Sequence, residues 1–321
     1  MRILVAGATG AVGLQLVPQL IAAGHSVVGT TRTPAKAAII KRMGAEPAIA
    51  NGLDEPAIRD TVIAAKPDII IDQMTDLADV TDLRHFDRAF ATTNRLRTEG
   101  TDFLSAAARE AGVKRFIAQS YCGWNYGRGG ASIKTEADAL DPDPPEELRP
   151  TLEAIKYLEG AVTGSTNPEG IVLRYGSFYG PDTGMLSRAM IDQVRGRRVP
   201  LIGGGGGRWS FIHVADAAAA TVAAVERGRP GNIYNIVDDE PAEVSEWLPA
   251  LATLLGARSP IRVPAWLGRL FAGEHLVSMM TEVRAGSNAK ARRELGWRPA
   301  HPSWRQGFAE VASRATTQHA A

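Results

Sequence analysis

The sequence predicts an α/β protein built on a doubly wound parallel sheet. Short apolar runs alternate with amphipathic segments as far as about Gly176. Strands that alternate with helices imply a parallel sheet covered by helices on both faces. Three glycines stand between the first apolar run and the first helical pattern, where dinucleotide-binding sheets carry their phosphate turn. Together these observations favour a fold of the Rossmann type.

Five apolar runs have the length and content of buried strands. In chain order they are "ILVAG", "SVVGTT", "PDIIID", "KRFIAQS" and "GIVLRYG". Between the third and fourth runs, "NRLRTEGTDFLSAAAREAG" is predicted to be a helix. Its apolar and small residues recur at helical spacing, and Gly112 follows as a C-cap. Beyond a glycine run, "RWSFIHVADAAAATVAAVERG" predicts a strand that leads into an alanine-rich helix.

Composition excludes several classes of protein. The 321 residues are 45% apolar and 22% charged, and the net charge of +1 predicts no attraction to nucleic acid or acidic membranes. Cys122 is the one cysteine, so no internal disulfide can form, which fits a cytoplasmic protein. We expect no secretory signal and no membrane span. The histidines and the cysteine show no metal-ligand spacing, so no metal site is predicted.

The glycine triplet predicts a dinucleotide site. "VAGATGAVG" places Gly7, Gly10 and Gly13 directly after the first strand and at the start of a helix. Glycine permits the tight turn, lets pyrophosphate approach the main chain, and lets helix and strand pack closely. The helix N-terminus then offers free N–H groups to the phosphates.

The end of the second strand favours NADP, with NAD possible. NAD-binding versions of this turn carry a carboxylate there for the ribose hydroxyl, but this chain has "GTTR". Arg32, after Thr31, can bind a 2′-phosphate through charge-assisted hydrogen bonds. The alternative is a solvated surface arginine.

Over nearly its whole length the chain resembles the extended short-chain dehydrogenase/reductases, the NAD-dependent epimerase/dehydratase family. The matching segments are "GATGAVG", "ANGLDEPAI", "TNRLRTEGTDFLSAAAREAGVKRFIAQS", "LRYGSFYGP", "FIHVADAAAA" and "AKARRELGWRP". The resemblance implies an NAD(P)-binding domain of residues 1–175 and 211–238. A smaller substrate-binding domain would comprise residues 176–210 and 239–321. The implied cofactor-binding residues are Gly7, Thr9, Gly10, Val12, Gly13, Thr31, Arg32, Asn51, Met74 and Lys156.

The family's catalytic pair is incomplete in this chain. In the family a tyrosine exchanges the proton, and a lysine four residues later binds the nicotinamide ribose and lowers the tyrosine's pKa. In "TLEAIKYLEG", Lys156 occupies the lysine position and Leu152 the tyrosine position. No tyrosine stands four residues before a lysine anywhere in the chain.

Two tyrosines are candidates to replace the missing donor. Tyr121 follows Ser120, which occupies the family's serine region and is expected to orient the substrate oxygen. Tyr175, just past the next strand, is the second choice. Neighbouring strand residues point to opposite faces, so Ser120 and Tyr121 face one ligand only if the strand has ended. Either tyrosine could instead be an aromatic residue of the core or cleft wall.

The predicted pocket is aromatic and does not suit a nucleotide sugar. Trp209 occupies the place of a diphosphate-binding arginine, and Ser177 that of a usual asparagine. The predicted substrate residues suggest a small organic ligand, although some can belong to the core or domain interface. They are Trp124, Tyr126, Tyr175, Ser177 and Trp209.

The predicted function is hydride transfer between NAD(P) and a carbonyl or activated double bond of a small non-nucleotide substrate. Two alternatives remain open. One is an epimerase or dehydratase that recycles its cofactor, and the other is an NADP-sensing regulator without turnover. A homodimer is the assembly considered, although the sequence does not determine the oligomeric state.

Overall fold

The structure, a computed structural model, describes residues 1–77, 83–181, 183 and 186–317. Its strands are β1 (Arg2–Ala6), β2 (Ser26–Thr31), β3 (Glu46–Ile49), β4 (Ile69–Asp72), β5 (Arg115–Tyr121), β6 (Ile133–Lys134), β7 (Glu169–Tyr175), β8 (Ser177–Tyr179), β9 (Leu201–Ile202), β10 (Arg208–Trp209), β11 (Phe211–His213), β12 (Asn232–Ile236), β13 (Ala242–Glu243), β14 (Arg262–Val263) and β15 (Ala285–Gly286). All five predicted apolar runs are among them.

Seven of these strands form the central sheet, in the order β12-β7-β5-β4-β1-β2-β3. Every neighbouring pair is parallel. The predicted α/β fold with a parallel sheet is therefore confirmed. The chain reverses its direction of winding between β1 and β4. Ligands of such sheets bind in the crevice at the carboxyl ends of the strands, at this switch point.

Helices cover both faces of the sheet, and others lie outside it. The α-helices of the described residues are α1 (Ala11–Ala22), α2 (Ala37–Arg42), α3 (Glu55–Ala65), α4 (Phe86–Arg95), α5 (Thr101–Glu110), α6 (Arg149–Thr163), α7 (Arg188–Arg195), α8 (Val214–Arg227), α9 (Val244–Leu254), α10 (Ala265–Ala272), α11 (Glu274–Thr281), α12 (Ala289–Leu295) and α13 (Trp304–Thr317). One core lies between the sheet and α1 and α8, with Leu16 and Ala217 at its centre. The second lies against α3, α5 and α6, with Leu104 and Leu158. No helix in the described ranges could cross a membrane.

A π-helical turn, Leu96–Gly100, joins α4 to α5. The sequence predicts an uninterrupted helix here, and the extra residue of the turn is a departure from it. π turns interrupt the regular helical spacing and are frequent at functional sites. In this turn Leu96 and Arg97 are both buried, whereas Arg95 and Glu99 pair on the outer face. Gly112, at φ +69°, occupies the predicted left-handed position after α5.

The C-terminal segment divides its contacts between the central sheet and a separate apolar core. Strand β11 pairs with β8, and the helix after it, α8, packs against α1. Strand β12 then joins the sheet beside β7. A separate apolar core contains residues from before and after the segment β11–β12, including Tyr179, Leu201, Trp247 and Phe308. The domain boundaries given above remain a prediction.

Candidate active site

The turn after β1 has the geometry of a phosphate-binding turn. Gly7 lies at φ +85°, and a Cβ atom there would stand 2.8 Å from the carbonyl oxygen of Gln73. A Cβ atom on Gly13 would stand 2.5 Å from the carbonyl oxygen of Gly7. Helix α1 begins at Ala11 without a side-chain cap, so its first N–H groups are available to an anion. These residues fit the pyrophosphate of a dinucleotide.

Side chains of β2 form hydrogen bonds with this turn, and Arg32 follows directly after the strand. The hydroxyls of Thr9 and Thr31 lie 3.3 Å apart, and Thr30 Oγ1 accepts a hydrogen bond from the Gly7 amide. Arg32 pairs with Asp76 at 2.6 Å, and its side chain is 60% exposed. Exposed ion pairs contribute only about 0–1 kcal/mol, so Arg32 can exchange this partner for a phosphate at little cost.

Asn51 and Met74 follow the carboxyl ends of β3 and β4, at the edge of the sheet where the glycine turn follows β1. The side-chain oxygen Oδ1 of Asn51 accepts from the Leu53 amide, and the Met74 amide donates to Asp72 Oδ1 at 2.9 Å. Burial raises the pKa of Asp72 to about 7, and the hydrogen bond from Met74 only partly offsets it. The side chain of Val12 is buried on α1, so only its main chain can meet a phosphate.

A cavity of about 220 Å³ opens where β5 and β7 end. Aromatic and aliphatic side chains make up most of its wall. Its lining contains most of the residues predicted for catalysis and substrate binding: Ser120, Tyr121, Trp124, Tyr175, Ser177 and Trp209. Further lining comes from residues that the sequence reading did not assign to the site, among them Phe86, Phe90, Arg97 and Met279. A cavity of this kind suits a small, largely apolar ligand.

Tyr121 presents its hydroxyl in this cavity but is a weak acid. Its oxygen lies 3.3 Å from Ser177 Oγ, and its ring stands 6.0 Å from that of Trp124. Burial raises the pKa of Tyr121 to about 12, and the Ser177 hydrogen bond and the charge of Arg97 only partly oppose it. No lysine lines the cavity in the described residues. The phenol therefore stays protonated at neutral pH.

The hydroxyl of Tyr175 is occupied by hydrogen bonds to other parts of the protein. It shares a hydrogen bond of 2.6 Å with Thr221 on α8 and accepts another from the Gln73 side chain. Burial raises its pKa to about 12 as well. Its ring forms part of the wall, but these two partners occupy the hydroxyl. Tyr175 is less suited than Tyr121 to meet a substrate through its oxygen.

Ser120 belongs to a buried polar network. Its hydroxyl donates to Glu159 Oε1 at 2.7 Å, and Glu159 accepts both Nε and Nη2 of Arg174, at 2.7 and 2.5 Å. Burial opposes the charge on Arg174, but the hydrogen bonds and charge of Glu159 outweigh it and raise the pKa of Arg174. Because the Ser120 hydroxyl already donates its hydrogen bond to Glu159, it can only accept a hydrogen bond from a ligand.

The same network contains Tyr126. Its hydroxyl accepts from Arg174 at 2.9 Å and donates to Asn235 at 2.8 Å. Tyr126 is fully buried and is absent from the described cavity lining. The structure does not place Tyr126 at the cavity, and its predicted contact with the substrate stays a prediction. Arg174, on β7, donates to the Tyr126 hydroxyl and so holds this side chain in the buried network.

The structure also places Lys156 outside the cavity. Its ammonium bonds Glu153 at 2.8 Å, its side chain is 39% exposed, and it lies in a surface groove with Asn94 and Tyr157. The buried stripe of α6 runs through Leu152, Ile155 and Glu159 instead, and Lys156 lies off that stripe. Lys156 and Ser120 therefore do not meet in the structure, and the catalytic and cofactor-binding roles predicted for Lys156 from the motif register stay a prediction.

Replacing Lys156 by alanine should change kcat and the Kd for NADPH by less than about threefold, since exposed ion pairs contribute about 0–1 kcal/mol. Cofactor titration and initial rates would test this. A loss of a hundredfold or more would instead return Lys156 to the cofactor site.

The structure also brings together a group that the sequence spacing did not suggest. His213, His301 and Glu310 place their ligand atoms within 4.8 Å of one another. His213 Nδ1 accepts from the Ala215 amide at the start of α8, and His301 Nδ1 bonds Asp216. These contacts join α8 to the C-terminal segment, and none of the three side chains is among the described lining residues of the cavity.

The family follows from a match over most of the chain. Residues 3–237 match the model of the NAD dependent epimerase/dehydratase family. The chain belongs to that family. Its members include the extended short-chain dehydrogenase/reductases, and the resemblance read from the motifs is confirmed.

Relatives in this family include enzymes named as reductases. The chain is 40% identical to a "3-diazoavenalumate denitrifying reductase" of a Streptomyces species, over 96% of this chain and 99% of that protein. It is 26% identical to a quinoline-oxide ketoreductase of Stigmatella aurantiaca, over 92% of each chain. A human epimerase family protein solved with NADPH has the same fold, with a TM-score of 0.73 and 20% identity, over 98% of this chain and 99% of that one. The prediction of NADP, with NAD possible, is consistent with these relatives.

Proposed function

We propose that the protein is an NAD(P)H-dependent reductase that transfers hydride to a small aromatic substrate and supplies no strong acid. The observation that carries this is the cavity at the ends of β5 and β7. It offers aromatic walls and a tyrosine whose pKa is about 12, without a lysine beside it among the described residues. Such a site can hold and orient an aromatic acceptor but is a poor source of protons.

When bound at the glycine turn, the cofactor supplies the hydride. The chain's own residues provide the rest. Phe86, Trp124 and Trp209 enclose an aromatic ring and exclude water from it. Tyr121 can donate a hydrogen bond to the ligand when Ser177 donates to it, and Ser120 can accept one. Exclusion of water strengthens these polar contacts.

An aromatic diazo compound is the acceptor class that best suits a site without an acid. Its arenediazonium form takes up one hydride, the carbon–nitrogen bond breaks, and the arene and N2 are released. Charge and atoms balance without a proton from the protein. The relative that is 40% identical is named for a diazo substrate and as a denitrifying reductase, which supports this class. A carbonyl acceptor would need a proton on its oxygen.

The proposal is tested by NADPH consumption with two matched acceptors, para-carboxybenzenediazonium and para-carboxybenzaldehyde. We expect enzyme-dependent turnover of the diazonium, with N2 release, at a much higher kcat/KM than of the aldehyde. A blank without protein gives the spontaneous reaction. Consumption of the aldehyde alone would contradict the diazo class, and consumption of neither would contradict the reductase.

Replacing Tyr121 by phenylalanine should lower kcat by less than about tenfold, whereas loss of a true general acid removes about 10²–10⁴-fold. Because its pKa is raised to about 12, Tyr121 is protonated at all lower pH values and contributes no step between roughly pH 6 and 9. The pH profiles of kcat should therefore coincide in the parent and the variant. Asp72, with a pKa of about 7, can shape both profiles equally. A limb lost only in the variant would identify Tyr121 as the acid.

A further inference from the structure

Arg97 is a buried cation in the wall of the cavity. The residue is only 7% exposed, and among the described residues its Nη1 has no hydrogen-bond partner. Within residues 1–77, 83–181, 183 and 186–317, its guanidinium has no hydrogen bond or ion pair. Burial lowers the pKa of Arg97 to about 10, so the group remains charged at neutral pH. An uncompensated buried charge is strongly unfavourable, and native proteins rarely keep one without a use.

The neighbouring charges do not neutralise Arg97. Glu159 is the acid whose charge acts on it, but both oxygens of Glu159 are already bound by Arg174, and Oε1 also accepts from Ser120. The Glu159–Arg174 pair is neutral as a unit. Among the described residues, one positive charge therefore remains at this end of the cavity.

The π-helical turn explains why the side chain of Arg97 is buried. It lies in the π-helical turn between α4 and α5, which buries two consecutive side chains, Leu96 and Arg97. Arg95, two residues earlier, pairs with Glu99 outside in the way of an ordinary surface arginine. The turn thus places one guanidinium among the aromatic side chains of the cavity.

We propose that Arg97 binds the carboxylate of an aromatic acid whose ring occupies the cavity. This inference rests on the proposed function, because it names the substrate class of the same site. A guanidinium presents paired donors that match a carboxylate. The charge of the guanidinium matches one carboxylate at this end of the cavity, whereas a phosphate dianion there would leave a buried negative charge. The aromatic walls, from Phe86 and Trp124, accommodate the ring.

The test compares binding of cinnamate and methyl cinnamate, which differ in one charge. Calorimetric titration of the NADPH-loaded protein should show cinnamate binding at least about thirtyfold more tightly, as expected for a desolvated charge pair. In Arg97→Met the two ligands should bind equally weakly, and Arg97→Lys should retain part of the preference. Arg95→Met is the matched control and should behave as the parent.

Melting temperature separates a binding role from a structural one. Arg97→Met should melt no lower than the parent, because it removes an unpaired buried charge, and cinnamate should stabilise only the parent. Equal binding of the acid and the ester by the parent, or a lower melting temperature of Arg97→Met with the preference intact, would overturn the inference. The reductase proposal is judged separately: selective cinnamate binding with no turnover of any acceptor contradicts it and leaves Arg97 assigned.

Discussion

Replacing Gly13 by alanine should raise the Kd for NADPH by at least about tenfold, because overpacking costs about 1–3 kcal/mol. The new Cβ atom would lie 2.5 Å from the Gly7 carbonyl oxygen and 2.6 Å from the carbonyl carbon of Ala8. These are backbone atoms, so the first turn of α1 must move away from the glycine turn. That turn offers the N–H groups predicted to hold the pyrophosphate.

Gly160→Ala is the matched control for this variant. Both glycines lie inside helices, but a Cβ atom on Gly160 meets nothing within 4 Å. We expect Gly160→Ala to leave the Kd for NADPH unchanged and to raise stability by roughly 0.5–1 kcal/mol. Fluorescence titration and thermal unfolding would follow both variants. Unaltered NADPH binding by Gly13→Ala would exclude this turn as the pyrophosphate site.

A large loss of stability is expected when the buried Glu159–Arg174 ion pair is broken. Replacing Glu159 by alanine should lower the free energy of unfolding by about 3–5 kcal/mol, the usual cost of breaking a buried pair from one side. Arg174 would keep its charge at 4% exposure, and Ser120 would lose its acceptor. Arg97 would then lie near a second uncompensated cation.

Two further variants isolate the cause. Glu153→Ala, on the same helix, breaks only the exposed pair with Lys156 and should cost no more than about 1 kcal/mol. Adding Arg174→Met to Glu159→Ala should restore part of the stability, because no buried charge is then left alone. Urea unfolding would measure all of these variants. Similar losses for Glu153→Ala and Glu159→Ala would mean that the buried pair is unimportant.

The sheet and the glycine turn could be predicted because their causes are local. A run such as "PDIIID" is a buried strand by its own composition, and the constraints on Gly7 and Gly13 follow from their place in the motif. The parallel order of the strands follows from alternation with helices. These features can be recognised from short stretches of sequence, although the strands themselves pair over long separations.

The polar network of the site could not be predicted from the sequence, because it depends on contacts between elements. Glu159 and Arg174 each stand inside an apolar pattern, which was a usable sign of a buried pair, yet only their packing shows that Ser120 and Tyr126 belong to it. Regular helical spacing gives no indication of the π turn that buries Arg97. Lys156 was assigned by motif register, whereas the stripe through Leu152 and Ile155 shows which face of α6 is buried.

The most direct measurement follows the hydride itself, with NADPH deuterated at the transferred position and para-carboxybenzenediazonium as the acceptor. We expect benzoate that carries one deuterium per NADPH consumed, together with one N2, in both the parent protein and Tyr121→Phe. Benzoate carrying hydrogen from solvent would contradict hydride transfer to the substrate. Deuterated product from the parent alone, with Tyr121→Phe inactive, would contradict a site that works without a tyrosine acid.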